Sequence, residues 1–211
     1  MSKVFAVVVL FVGCLINAYC NGQGPPVGTG AWNAIPQLKT NEGFGTGFVV
    51  AVSDRKVEIW TAAHVTGEAG NPVVVVWQDG TETNGVVARS RLGGAGTTGH
   101  DEAKIIADKP TTIDIKPVNV GGVVGSRFNG SFVGYGNDSY LRESETLLTK
   151  SQGIANRVQL VPSAIPGDSG GPVFDEVGNV VGVVVQITLN RQRKGLTTLI
   201  IPIDRWVDWT D

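Results

Sequence analysis

Short apolar runs recur along the chain from residue 43 onward, and turn-forming residues separate them. Valine and isoleucine dominate the runs, while glycine, asparagine and aspartate are frequent between them. β-Branched residues favour strands, and strand-length runs at this spacing are typical of β-sandwiches and β-barrels. The predicted strands are 43–52, 56–60, 72–77, 85–90 and 103–107 in a first half, and 131–136, 145–153, 157–161, 179–187 and 195–203 in a second half.

The pattern predicts little helix. Asp204, followed by the apolar positions of "RWVDW", predicts one short helix at the C-terminus. Residues 21–40 are rich in glycine and proline and are expected to form an N-terminal arm or linker. We therefore expect an all-β domain over 41–211, with barrel 1 at about 41–110, barrel 2 at about 123–203 and a connection between them that carries Pro and Gly.

The first twenty residues form a separate unit. Lys3 precedes an apolar stretch over 4–16, and small and polar residues follow. This layout predicts a secretory signal peptide cleaved near Ala18 or Cys20, because the apolar core is short for a membrane span. A lipoprotein signal with Cys14 as the lipidated residue and an uncleaved anchor are the alternatives. We expect a secreted or periplasmic protein with no stable membrane insertion after cleavage.

Composition narrows the class of protein. Hydrophobic residues make up 42% and charged residues 17%, which allows a sizeable core. The net charge of −2 and the lack of a basic run argue against nucleic acid as a partner. Both cysteines, Cys14 and Cys20, lie in the predicted signal, so the mature domain would hold together by packing without a disulfide. That is typical of bacterial or viral secreted proteins. We expect no metal or cofactor, since no ligand residues cluster at metal spacing. We also expect a monomer.

The stretch "IPGDSGGPVF" at 165–174 carries the first candidate for chemistry. Ser169 is either a nucleophile or a serine in a glycine-rich turn. A serine nucleophile needs a nearby base, a group that orients the base, and donors for the oxyanion. Gly167 lacks a Cβ, so the N–H groups of Gly167 and Ser169 can point into one cavity as oxyanion donors.

The base has two candidates, because the chain contains only two histidines. His64 follows a predicted strand and two alanines, whereas His100 lies among turn residues, where a solvated side chain is the default. Asp101, at the start of a predicted strand, is the candidate carboxylate, and Asp108 and Asp114 compete with it. The residues alone leave both choices open.

In chain order, "GTGFVV", "TAAHV", "DEAKIIAD" and "PGDSGGPVFDEVGNVVGVV" resemble the trypsin/chymotrypsin-like serine peptidases, especially the cysteine-poor bacterial trypsin-like and HtrA-type members. The resemblance covers about 42–209. It implies two six-stranded antiparallel β-barrels packed face to face, with the active site between them. It also implies that Ser169 attacks the scissile carbonyl, His64 transfers the proton, Asp101 orients His64, and the N–H groups of Gly167 and Ser169 bind the oxyanion.

Two departures from animal trypsins are visible. No isoleucine-type activation sequence is found near 21–44, so the partner of Asp168 stays open. An internal cation, a hydrogen-bonded carboxylate or a terminus made by signal cleavage would each serve. In addition, Val65 stands where animal enzymes have the cysteine of the histidine loop.

The expected substrate preference rests on the same resemblance, with the residues matched position by position without gaps. Ser163, six residues before Ser169, would lie at the base of the specificity pocket, and the lack of a carboxylate there argues against an Arg/Lys preference. Glutamate-specific relatives place a histidine at the position of Val184. The other expected pocket residues are Val185, Gln186, Ile187 and Thr198. These residues predict a preference for small or medium uncharged side chains.

The sequence thus predicts a secreted serine endopeptidase that acts on polypeptides. One alternative is a catalytically silent binding module with the same fold. Another is a virus-encoded processing serine protease with residues 4–16 as a membrane anchor. An esterase of the α/β-hydrolase kind is excluded, because "GDSGG" fits G-x-S-x-G but no histidine follows Ser169.

Overall fold

The structure is a computed structural model that describes residues 32–41, 43–93, 100–121, 127–138, 140–150, 158–161, 164–190 and 195–203. Four predictions fall wholly or mostly outside this part of the chain: the signal peptide over 1–20, the N-terminal arm up to residue 31, the pocket residue Ser163 and the C-terminal helix after Asp204. Among the described helices, none has the length and apolar character needed to cross a membrane.

The described elements are nearly all strands. They are β1 (Gln37–Thr40), β2 (Gly43–Thr46), β3 (Phe48–Val52), β4 (Lys56–Thr61), β5 (Pro72–Val76), β6 (Glu82–Leu92), β7 (Asp101–Asp108), β8 (Arg127–Gly134), β9 (Arg142–Lys150), β10 (Val158–Val161), β11 (Pro172–Asp175), β12 (Val180–Asn190) and β13 (Gly195–Pro202). One short helix, α1 (Ala63–Thr66), and two single 3₁₀ turns, Trp32–Ala34 and Gly136–Asp138, complete them. Each predicted strand overlaps an observed one, and the all-β fold class is confirmed.

The first half is a seven-stranded antiparallel sheet in the order β2-β1-β5-β6-β7-β4-β3. The strand pattern predicted five strands here and the resemblance implied six. The sheet has seven, because the predicted strand 43–52 is interrupted at Gly47 and forms both β2 and β3, and because β1 was not predicted. At Gly47 the sheet is tightly packed, since a Cβ there would lie 2.6 Å from Ile59 Cγ2. The Gly47 N–H also leaves the ladder and donates to Pro36 O at 3.0 Å.

The end of the predicted N-terminal arm belongs to this sheet. β1 pairs with β2 on one side and β5 on the other, and Leu38 is fully buried. The expectation of a linker up to residue 40 is therefore wrong for Gln37–Thr40. The glycine and proline content that suggested a linker is concentrated before residue 31, and four residues are too few to show a strand pattern.

The second half is a closed antiparallel barrel of six strands in the order β10-β13-β12-β11-β8-β9. β11 follows the serine motif directly and pairs with β8 and β12. Residues 109–121 connect the two halves and contact both, since Val118 N–H donates to Val49 O at 2.9 Å and Val180 N–H donates to Asn119 O at 2.8 Å. The connection is therefore packed along both halves.

Alternation along the strands places the core. On β7, Ala103, Ile105 and Ala107 are fully buried on one face, as the sequence pattern predicted. The larger of two buried clusters combines side chains of both halves, including Val65 and Val133. Side chains of the two β halves thus meet in this larger cluster, and the serine motif lies next to it.

Candidate active site

His64 lies just beyond β4 in the single turn of α1. The strand ends at Thr61, and Gly67, with φ +71°, ends the helix. Ala62 and Ala63 are fully buried, and these small side chains let the helix sit directly on the core. The His64 side chain is 38% exposed, so its ring is accessible to a substrate.

Asp101 begins β7 and faces His64. Its Oδ2 lies 2.7 Å from His64 Nδ1, and its Oδ1 accepts the His64 backbone N–H at 2.9 Å. The Asp101 side chain is only 10% exposed. The competing Asp108 lies at the far end of β7, where it is exposed and pairs with Lys56. The structure thus brings His64 and Asp101 together.

His100 has a different partner, Glu102. The His100 Nδ1 lies 3.2 Å from Glu102 Oε2, and the Glu102 side chain is 1% exposed. Burial raises the pKa of Glu102 above its usual value, while His100 and Arg91 oppose this rise. This buried carboxylate, next to Asp101 in the chain, was not anticipated from the sequence, because alternation predicts an outward side chain at that position.

Ser169 lies in the tight turn before β11. Gly167 and Gly170 have φ of +97° and +84°, which only glycine adopts readily. Within the turn, Asp168 N–H donates to Ile165 O at 3.1 Å and Gly171 N–H donates to Asp168 O at 2.9 Å. Within the described part of the chain, neither Gly167 N–H nor Ser169 N–H donates to a backbone carbonyl.

Strand β2 links the serine turn to the histidine helix. Thr46 N–H donates to Ser169 O at 2.8 Å. A Cβ at Gly45 would lie 2.6 Å from Val65 Cγ1 and 2.9 Å from Ser169 O, so Gly45 touches both. Among the described residues, the Ser169 hydroxyl forms no hydrogen bond with His64. Bonds of this kind are often long without substrate and shorten in the reacting complex.

The partner of Asp168 is Arg142, the first residue of β9. The Arg142 guanidinium pairs with Asp168 Oδ2, which also accepts the Ile165 N–H at 2.8 Å. The Asp168 side chain is fully buried, and this burial raises its pKa, opposed by the Ile165 N–H and by Arg142. Arg142 also lies over the Phe132 ring at 5.5 Å. The open question about Asp168 is thereby answered by an internal cation, which no local sequence pattern indicates.

Part of the predicted pocket can be located. Thr198 is fully buried, and its hydroxyl accepts the Ala164 N–H at 2.5 Å. Val184 and Val185 are buried on β12, with a bulge in the β12–β13 pairing at this point. Ile187 and Gln186 pair through their backbones with Thr198 and Leu199 of β13. Through this bond to Ala164, Thr198 helps to position the segment that leads into the serine turn.

A metal centre finds no support in the described residues, where no three His, Cys, Asp or Glu side chains come together as ligands.

One β half carries the pair of His64 and Asp101, and the other carries the turn with Ser169. The Trypsin family model matches residues 20–210, and the chain belongs to this family. No curated protein matches the chain in sequence.

Three solved structures that are similar to this chain, two bacterial and one viral, share its fold. The Rv3671c protease of M. tuberculosis, in an inactive form, has a TM-score of 0.65 at 19% identity over 87% of this chain and 90% of its own. The serine protease of a human astrovirus has a TM-score of 0.62 at 24% identity over 85% and 94%. The serine endoprotease of Yersinia pestis has a TM-score of 0.64 at 18% identity over 85% and 62%. The likeness in each case is one of fold.

Proposed function

We propose that the protein is a secreted serine endopeptidase that hydrolyses peptide bonds through an acyl-enzyme on Ser169. The pair formed by His64 and Asp101, with 2.7 Å between Nδ1 and Oδ2, is the observation that carries the proposal. A carboxylate at Nδ1 leaves Nε2 as the ring nitrogen that accepts a proton from a serine. It also stabilises the imidazolium that forms when the proton has moved.

The proposed reaction has two half-reactions, acylation of Ser169 and hydrolysis of the acyl-enzyme, and His64 transfers a proton in each. Ser169 Oγ attacks the scissile carbonyl carbon while His64 Nε2 accepts its proton, and the carbonyl oxygen becomes an oxyanion bound by the N–H groups of Gly167 and Ser169. His64 then donates the proton to the leaving amine, and the ester of Ser169 remains. In the second half-reaction a water molecule attacks the ester while His64 accepts its proton. His64 then returns this proton to Ser169 Oγ, and the acid product leaves.

A preference for small or medium uncharged side chains is part of the proposal. Val184 and Val185 are apolar and buried. Thr198 is uncharged and buried like the two valines, so none of these three residues could pair with a charged substrate side chain. Ser163, Gln186 and Ile187 would complete the pocket.

Export and a monomeric state are also proposed. The basic residue, apolar stretch and small residues over 1–20 support a cleaved signal peptide, and the family match begins at residue 20. N-terminal sequencing of the protein exported by an expressing cell would test cleavage, and light scattering would test the monomer.

The decisive experiment is labelling with a fluorophosphonate probe and peptide mapping, with Ser169→Ala alongside. We expect label on Ser169 in the wild type and none in the variant. Ser53→Ala is the matched control, since this exposed serine bonds only to Lys56 in its own turn, and it should label like the wild type. A folded wild type without label would contradict the proposal and favour a catalytically silent binding module.

A further inference from the structure

Thr46, the last residue of β2, joins the two halves at the serine turn. It is fully buried, and both its hydroxyl and its backbone are engaged. The hydroxyl donates to Gly167 O at 2.8 Å and accepts the Tyr135 N–H at 3.0 Å. The Thr46 N–H donates to Ser169 O, and its carbonyl accepts the Thr61 hydroxyl at 2.7 Å. One side chain of the first half is thus bonded to two backbone groups of the second.

Two hydrogen bonds, one from Thr46 and one from Asn137, constrain the two peptide groups that flank Gly167. In a trans peptide the C=O and N–H point in opposite directions, so a bonded carbonyl fixes the direction of the N–H behind it. The Pro166 carbonyl, in the same peptide as the Gly167 N–H, accepts the Asn137 N–H at 2.8 Å. The Gly167 carbonyl, in the next peptide, is held by Thr46. Without these contacts a glycine at φ +97° could rotate easily.

We propose that the Thr46 hydroxyl is a positioning group for the oxyanion site: it holds the Gly167 carbonyl and so limits rotation of Gly167, whose N–H would bind the substrate oxygen. This inference rests on the proposed function, since it assumes that Gly167 is an oxyanion donor. Thr46 itself touches no reacting atom. Its effect is exerted through the turn, where a small displacement of a donor is costly to the rate.

The hydroxyl can be removed without removing the strand. Valine has the shape of threonine but would leave Gly167 O and Tyr135 N–H without their buried partner. The backbone pairing of Thr46 with Gln37, and the bond from Thr61 to the Thr46 carbonyl, do not depend on the side chain. The substitution should therefore act mainly on the turn and only modestly on the sheet.

The test uses the whole protein and a fluorophosphonate probe, whose phosphoryl oxygen occupies the oxyanion site during labelling. The maximal labelling rate and the apparent affinity for the probe are measured separately for the wild type, Thr46→Val, Thr46→Ala and Thr46→Ser. We expect the labelling rate to fall about tenfold in the valine and alanine variants, because a displaced donor loses part of its transition-state stabilisation. The affinity for the probe should change less than about twofold, and serine should restore the rate to within about threefold of the wild type.

Thr83→Val is the matched control. Its hydroxyl accepts the Trp77 Nε1–H at 2.9 Å within the first sheet, so valine there also removes one threonine hydrogen bond. Its labelling rate should equal that of the wild type. If Thr46→Val does not fold, the alanine and serine variants decide, since they differ from each other only in the hydroxyl.

Equal labelling rates in Thr46→Ala and Thr46→Ser, with an active wild type, would overturn the inference and leave the proposed function intact. A loss confined to probe affinity would also overturn it, because a positioning group for the transition state acts on the rate. A wild type that is folded but never labelled would overturn the proposed function first, and the inference with it.

Discussion

The carboxylate of Asp101 holds both the ring and the backbone of His64. One oxygen lies 2.7 Å from Nδ1, and the other accepts the backbone N–H at 2.9 Å. The ring is therefore oriented relative to the helix turn that carries it. Asparagine could still accept the backbone N–H, but its amide would face Nδ1 and favour the wrong tautomer.

Asp101→Asn should therefore fold normally and lose activity. We expect kcat/KM for a peptide selected from a substrate library to fall by about 10⁴, as for the corresponding change in the general triad mechanism. Asp108→Asn, which removes an exposed pair with Lys56, should retain full activity. A loss of less than tenfold in Asp101→Asn would show that this carboxylate does not orient the base.

Removal of Arg142 should destabilise the fold as well as the site. Arg142→Ala leaves Asp168 buried without its cation, at a cost of about 3 kcal/mol in the free energy of unfolding, measured with urea. Adding Asp168→Asn removes the uncompensated charge and should recover part of this loss. If the double variant is no more stable than Arg142→Ala, the ion pair is not the source of the effect.

The stability that Arg142→Ala loses relative to the wild type should depend on pH. Burial already raises the pKa of Asp168 above 3.8, and without Arg142 it would rise further. Protonation removes the buried charge, so the stability lost in Arg142→Ala should shrink as the pH falls through this raised pKa. Urea titrations of both proteins at several pH values between about 4 and 8 would measure this, and a constant difference in free energy would contradict it.

Contacts that are local in the chain could be predicted, and distant ones could not. The turn around Ser169 was predictable because its glycines and the strand after it are consecutive. The strands followed from alternation, as for Ile105 on β7. Arg142 reaches Asp168 across 26 positions and Thr46 reaches Gly167 across 121, and nothing in the residue types marks these pairs. The first pair forms because the second half closes into a barrel, and the second pair forms because the two halves of the chain pack against each other.

Gly167 should not tolerate a side chain. A Cβ there would overlap the Tyr135 carbonyl oxygen and lie 2.5 Å from Phe44 Cε2, in addition to the strain of φ +97°. Gly167→Ala should abolish labelling of Ser169. Gly80→Ala is the matched control, because Gly80 has φ +81° with open space around it, so only backbone strain of about 1–2 kcal/mol is expected. Full labelling in Gly167→Ala would contradict the role given to this turn.

Glu102 should make stability fall as the pH rises. Burial raises its pKa above 4.5, so the folded protein holds a proton that the unfolded chain has already released. Between pH 4.5 and the raised pKa of Glu102, the free energy of unfolding should therefore fall as the pH rises. The slope is at most about 1.4 kcal/mol per pH unit. Glu102→Gln lacks this loss, so its stability relative to the wild type should rise with pH in thermal melts. A relative stability that is flat or falls with pH would contradict the assignment.

The main buried cluster draws side chains from both β halves, with Val65 beside His64 and Val133 beside the serine turn. The two halves are therefore not expected to move as a hinge, because separating them would expose apolar core to water. The two halves should unfold in one cooperative step, so that heat separates His64 from Ser169 only when the whole domain melts. In this molecule, loss of activity on heating and loss of fold would then be the same event.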